Sequence, residues 1–170
     1  MKFCLITILS FIVTSHSYAC TFVETNSGIY TASKVIYTFY EGTTLDYGPI
    51  DLVLQKTTAG FRISNCTFPF GGGSINCSTP EIQEDDRGFF YFDRKGKKIQ
   101  IPVTCNAHEL SFSHTTKGDW TDPWVITAGN TSWNFQLLKD GMYFKQIIKF
   151  KGTQGQDLVE SFQTGLLMPK

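Results

Sequence analysis

The sequence has little charge and no excess of either sign. Of its 170 residues 18% are Asp, Glu, Lys or Arg, with 15 basic against 15 acidic. Without a basic field to hold a phosphate backbone, nucleic acid is not expected as a partner. There is no long dry stretch after the first few residues, so no membrane span is expected. A hydrolase nucleophile raised on a G-x-S-x-G turn is missing. So are the C-x2-4-C pairs of a structural zinc site, because the gaps between Cys20, Cys66, Cys77 and Cys105 are 46, 11 and 28. Glu81, Glu84, Asp85 and Asp86 are the densest acidic group. They lack the alternating order of a calcium loop and are read as a solvated loop. His108 and His114 are six residues apart, about 20 Å along a strand at a rise of roughly 3.3 Å. They are read as surface imidazoles, not ligands of one metal. No cofactor and no enzymatic activity are expected.

What the sequence does have is bulk. Hydrophobic residues make up 41% of it and aromatics 15%, including 15 Phe, 7 Tyr and 3 Trp. That composition suits one globular domain rich in strands. At the start, Met1-Lys2, the apolar run Phe3–Val13 and Ser17-Tyr18-Ala19 make a secretory signal with cleavage before Cys20. Residues 20–170 are then a single exported domain. Cleavage takes Cys4 with it and leaves four cysteines, an even number that reads as two disulfides in an oxidising compartment. The sequence does not choose among the three pairings. Cys20–Cys66 with Cys77–Cys105 is favoured over Cys66–Cys77 nested within Cys20–Cys105.

From Cys20 onward no stretch sustains a capped 3.6-residue apolar period, whereas short alternating runs are frequent. Val35–Tyr40 is apolar on both faces, as in a strand covered on each side. Ile50, Leu52 and Leu54 pair naturally with Phe61–Ser64 as a hairpin. Pro69 and Gly71–Gly73 forbid a regular element, so a surface loop is expected to about Asp86. Phe89–Phe92, the turn Asp93–Gly96 and Ile99–Cys105 form the clearest hairpin, with Pro102 marking an edge or a bulge. Leu110–Ser113 and Trp124–Thr127 read as short strands. Trp133, Phe135 and Leu137 alternate before the turn at Asp140-Gly141. Beyond it Phe144, Gln146, Ile148 and Phe150 share one face. Leu158–Met168 suits a strand or a helical turn. The expected fold is an all-β, immunoglobulin-like antiparallel sandwich of about 8–9 strands. The likeness is architectural, since the first Trp, Trp120, follows the last cysteine.

One loop looks like a binding surface. Asp119, Trp120, Asp122 and Trp124 put two indoles beside hydrogen-bonding carboxylates, a pattern suited to stacking on a sugar ring or a peptide side chain. Asn65, Asn76 and Asn130 begin glycosylation sequons, two of which carry a cysteine in the middle.

The signal peptide, Cys20 with Cys66 following 46 residues on, and Gly141-Met142-Tyr143 leading into a late alternating strand together resemble subunits of chaperone–usher fimbriae. The resemblance implies an incomplete sandwich completed by a neighbour's strand. It also implies export to the periplasm, capture by a periplasmic chaperone, neighbouring pilus subunits as partners, and display at the cell surface. With no donor extension before Cys20, the implied place is that of a minor or tip subunit that attaches to a carbohydrate or host-surface receptor. The alternative is a free-standing secreted glycoprotein that binds a carbohydrate or protein.

Overall fold

A computed structural model describes residues 20–38, 42–70, 73–116, 129–151 and 157–170. The segment read as a signal, residues 1–19, and the Trp124–Thr127 run lie outside them. A six-residue helix, α1 (Thr21–Asn26), precedes fifteen strands among the described residues. In chain order these are β1 (Gly28–Ala32), β2 (Val35–Thr38), β3 (Thr44–Tyr47), β4 (Ile50–Lys56) and β5 (Gly60–Ser64). Then come β6 (Thr67–Phe70), β7 (Gly73–Asn76), β8 (Ile82–Asp85), β9 (Gly88–Phe92) and β10 (Lys98–Gln100). The last five are β11 (Val103–Cys105), β12 (Glu109–Thr116), β13 (Gly129–Leu138), β14 (Gly141–Lys151) and β15 (Asp157–Pro169). The described pairings are all antiparallel. The all-β reading holds, but the strands are more numerous than the expected 8–9.

The hydrogen-bonded path runs β10-β9-β8-β5-β4-β1-β15-β14-β13-β12-β11. Two strand stretches make it fold over on itself. At Ser33-Lys34 the first stretch changes partner: β1 pairs with β4 and, through Tyr30↔Pro169 and Thr31↔Met168, with the end of β15. Just beyond, β2 pairs with the earlier part of β15 at Val35↔Gly165 and with β3 on its other side. The second stretch begins as β10 against β9, passes Ile101 and Pro102, and ends as β11 against β12. Since proline cannot donate to a ladder, Pro102 falls where the strand changes sheets. The two ends of the path are therefore joined through two residues, and the strands close into a flattened ring of two layers.

Alternation puts apolar side chains between the layers. Leu52, Leu54, Phe61, Ile63 and Ile82 from one layer meet Leu110, Phe112, Trp133, Phe135, Phe144 and Leu167 from the other. Phe61 lies edge-on to Phe112 across the gap, with ring centroids 5.3 Å apart. Each large side chain fully buried in this way contributes about 1.5–3 kcal/mol by area. The close approach of β5 and β8 requires Gly60, because a Cβ there would lie 2.0 Å from the Ile82 carbonyl oxygen. Beyond that crossing Thr79 stands in for a strand: its backbone N–H donates to Ile63 O and its hydroxyl accepts from Ile63 N–H, both at 2.9 Å.

Several expectations are corrected. The disulfides are Cys20–Cys105 and Cys66–Cys77, the nested pair, not Cys20–Cys66 with Cys77–Cys105. The hairpin of β6 and β7 sets Cys66 opposite Cys77, with Cα atoms 5.0 Å apart and Cys77 N–H donating to Cys66 O. That hairpin and β8 occupy the stretch read as a loop. There the disulfide closes the hairpin base and Ile82 is anchored in the core. The Val35–Thr38 part of the strand expected to be covered on both sides is covered on one: Val35 and Tyr37 are buried and Ile36 is 40% exposed. Phe39 and Tyr40 lie outside the described residues. Leu158–Met168 belongs to a strand, β15. The short α1, which no periodicity announced, has no side-chain cap. It is held instead by Cys20 and by burial of Phe22 and Val23.

Candidate functional site

Three connections emerge from the same end of the second layer. The pairs Thr38↔Phe162, Thr116↔Gly129 and Lys151↔Asp157 place the end of β2, the β12–β13 junction and the β14–β15 junction together. α1, tied through Cys20 to Cys105 beside the start of β12, lies at the other end. Asp119, Trp120, Asp122 and Trp124 belong to the segment joining β12 to β13 and lie outside the described residues. What is described is the ground from which that segment leaves.

That ground is unusually polar for the inside of a sandwich. Alternation along β12, β13, β14 and β15 turns His114, Thr131, Trp133, Gln146 and Gln163 inward, and each is buried. Trp133, Gln146 and Gln163 are register neighbours on successive strands. Neither ring nitrogen of His114, nor Trp133 Nε1, Gln146 Oε1, or either amide atom of Gln163 makes a well-aligned hydrogen bond, although the Thr115 backbone lies close enough to His114 to oppose the effect of burial on its pKa. Leaving such groups unpaired costs about 1–3 kcal/mol each, so their retention calls for a reason beyond packing.

His114 also borders an opening. Where the 98–105 stretch leaves β9 for β12, it covers β12 only as far as Phe112 and leaves a wedge beside the last residues of that strand. Tyr91 crosses the wedge, its hydroxyl accepting from Thr115 N–H at 3.0 Å. The remaining space is a cleft of about 450 Å³ lined by Ser78–Pro80, Tyr91–Lys95, Ile99, His114 and Thr115. That volume lies within the range of roughly 300–1,000 Å³ typical of small-ligand sites. The His114 ring stacks on Phe112 at 6.4 Å and meets the edge of Tyr91 at 6.3 Å. Burial pulls its pKa down to about 4, so the imidazole is neutral at pH 7. It can then donate from one nitrogen and accept at the other.

Asp93 folds the neighbouring turn around itself. Its Oδ1 accepts from Lys95 N–H at 2.8 Å and Lys97 N–H at 2.9 Å. The Lys97 and Lys95 amides hold its carboxyl below the usual range against the opposing effect of burial. Phe92, 47% exposed, stands at the lip with Arg94 and Lys95.

The expectation of two surface imidazoles is half right. His108 is exposed in the bend before β12, while His114 is 3% exposed. A signal for the buried polar strip was present in the chain, since Gln146 falls between Phe144 and Ile148 on an apolar face. Of the acidic group, Glu81, Glu84 and Asp85 are half-buried and Asp86 exposed. Burial raises the Glu84 carboxyl. Among the described residues no three His, Cys, Asp or Glu side chains cluster as a metal site, and no helix is long and apolar enough to cross a membrane. The chain matches no protein-family model, no curated protein and no solved structure.

Proposed function

We propose that this chain is an exported, non-enzymatic attachment protein, a minor or tip subunit of a surface fimbria that holds a carbohydrate or protein of a facing surface at the loop end of its sandwich. The resemblance of the sequence to fimbrial subunits carries this reading, together with the cleft at one end of the strands. A polymerising subunit of the kind the sequence resembles keeps a gap for its neighbour's strand. Here the 98–105 stretch joins β10 to β11 from within the chain, so the main sheet asks for no donor there. That favours an attaching role over a polymerising one. The two disulfides are consistent with export. The cleft and the unpaired polar groups favour a site for a ligand.

The same closure also favours a second reading, a free-standing secreted glycoprotein, as does the exposure of the sequon residues Asn65 and Asn130. Secretion of the full chain from its native source, followed by purification and an attachment assay on cells, separates the two. Recovery with pilus subunits or a periplasmic chaperone is expected for the fimbrial reading. Recovery as a glycosylated, attaching monomer would replace it with the second. A folded protein that attaches to no surface would overturn both.

A further inference from the structure

A buried ionisable ring with nothing to bond is tolerated only while it stays neutral. His114 is such a ring: it is 3% exposed, and neither nitrogen makes a well-aligned hydrogen bond. A proton added there leaves a cation with two N–H donors and no acceptor for either, between the Phe112 and Tyr91 rings. The charged groups that share its cleft do not offset that charge. All stand on the turn after β9: Arg94 and Lys95 are cations, and Asp93 is held at Oδ1 by the Lys95 and Lys97 amides of the same turn. Tyr91 has its hydroxyl on Thr115 N–H. The rest of the lining, Ser78–Pro80, Phe92, Ile99 and Thr115, carries no charge, nor do Phe112 and Thr131 beside the ring on β12 and β13. Burial, opposed in part by the Thr115 backbone, is what keeps the proton off.

The wall that confines the ring is lightly held. β11 pairs with β12 from Leu110 to Phe112, while β10 is bonded to β9 and not to β12. Past Phe112 the two layers are tied across the wedge by the 3.0 Å hydrogen bond from Thr115 N–H to Tyr91. We infer that this wedge is an acid-operated latch: protonation of His114 swings Tyr91 and the 93–97 turn off the end of β12, giving the imidazolium access to water and baring the β12 edge from Ser113 to Thr116. The latch is independent of the attachment reading, since it concerns how the fold answers pH. Opening returns the ring from about 4 to its ordinary value of 6.5, so the open form binds the proton more tightly. The latch is therefore closed above pH 6.5 and opens progressively as pH falls toward 4. Between pH 7 and pH 4.5 the opening equilibrium rises roughly 50-fold by this linkage.

The test is amide hydrogen exchange of the oxidised protein at pH 7 and pH 4.5, each in low concentrations of urea, with histidine side-chain NMR alongside. Protection of the Thr115 amide, corrected for intrinsic exchange, is expected to fall roughly 50-fold on acidification. It is also expected to depend little on urea, because a local opening exposes little surface. Leu110, which lies on the same strand beneath β11, is expected to exchange through global unfolding, with a steep urea dependence. His114→Leu is expected to hold Thr115 protection unchanged between the two pH values. Tyr91→Phe is expected to speed exchange at Thr115 already at pH 7 and to keep the acid response. Should His114→Leu fail to fold, the wild-type ring decides by itself: its titration is expected to fall below pH 6.5 and to follow the loss of protection at Thr115. Thr115 protection that ignores pH, an equal acid response in His114→Leu, a urea dependence at Thr115 as steep as that at Leu110, or a ring that titrates at its ordinary value while Thr115 stays protected would each overturn the latch.

Discussion

His114 occupies a place where an aliphatic side chain would cost nothing, and its energetics follow from that. Its folded pKa of about 4 lies below the ordinary value of 6.5, because burial penalises the charged ring. Between these values the unfolded chain binds a proton that the folded chain refuses. Stability from this residue is thus complete above pH 6.5 and is lost as pH falls toward 4, by about 3 kcal/mol in all. His114→Leu is expected to remove this dependence and to raise stability at pH 7 by about 1 kcal/mol or more. Urea unfolding of both proteins at pH 7, 5.5 and 4.5 measures it. Equal loss of stability on acidification in both would contradict the account. The burial of His114 could not be read from the sequence. It follows from the alternation that also buries Leu110 and Phe112, but His108, six residues earlier, shares that parity and is exposed because it lies in the bend before β12.

At the scale of elements, the 98–105 stretch determines both closure and cleft. Pro102 was legible as an interruption, and the alternation of Phe89–Phe92 and Ile99–Cys105 was legible as a hairpin. What the sequence did not disclose is that the second arm serves two sheets, because the partner of its later half, β12, is chosen by tertiary packing. The β4–β5 and β13–β14 hairpins were legible for the opposite reason: their partners lie across short turns and their inward faces alternate cleanly. β1, β3 and α1 were missed since each is short, and the disulfide to Cys105 for α1, the partners β4 and β15 for β1 and the partner β2 for β3 hold them more than any propensity of their own. The wedge left by the crossing is braced by Tyr91. Tyr91→Phe keeps the ring and orphans the Thr115 N–H, and is expected to destabilise the fold by about 1–2 kcal/mol. Amide hydrogen exchange should show faster exchange at Thr115 than at Leu110. Unchanged stability together with unchanged exchange at Thr115 would rule out the brace.

The whole molecule is held by bridges of very different reach. Cys20–Cys105 spans 85 residues and Cys66–Cys77 spans 11. In the chain-entropy model these are worth about 4–5 and about 3 kcal/mol. Paired Cys→Ser replacement is accordingly expected to lower stability more for the long bridge than for the hairpin bridge, with peptide mapping under non-reducing conditions confirming which sulfurs are joined. The Trp120 segment, the most prominent binding candidate in the sequence, leaves the sandwich at the same end as His114, so composition pointed toward that end although it did not point to the cleft. The fold and the free-standing reading both depend on a strand ring that the chain completes by itself. Equilibrium unfolding of the oxidised protein, followed by tryptophan fluorescence with its mass in solution measured in parallel, tests that most directly. A monomer with one reversible, cooperative transition is expected; broad unfolding or aggregation that is cured by an added donor-strand peptide or a periplasmic chaperone would contradict a closed sandwich.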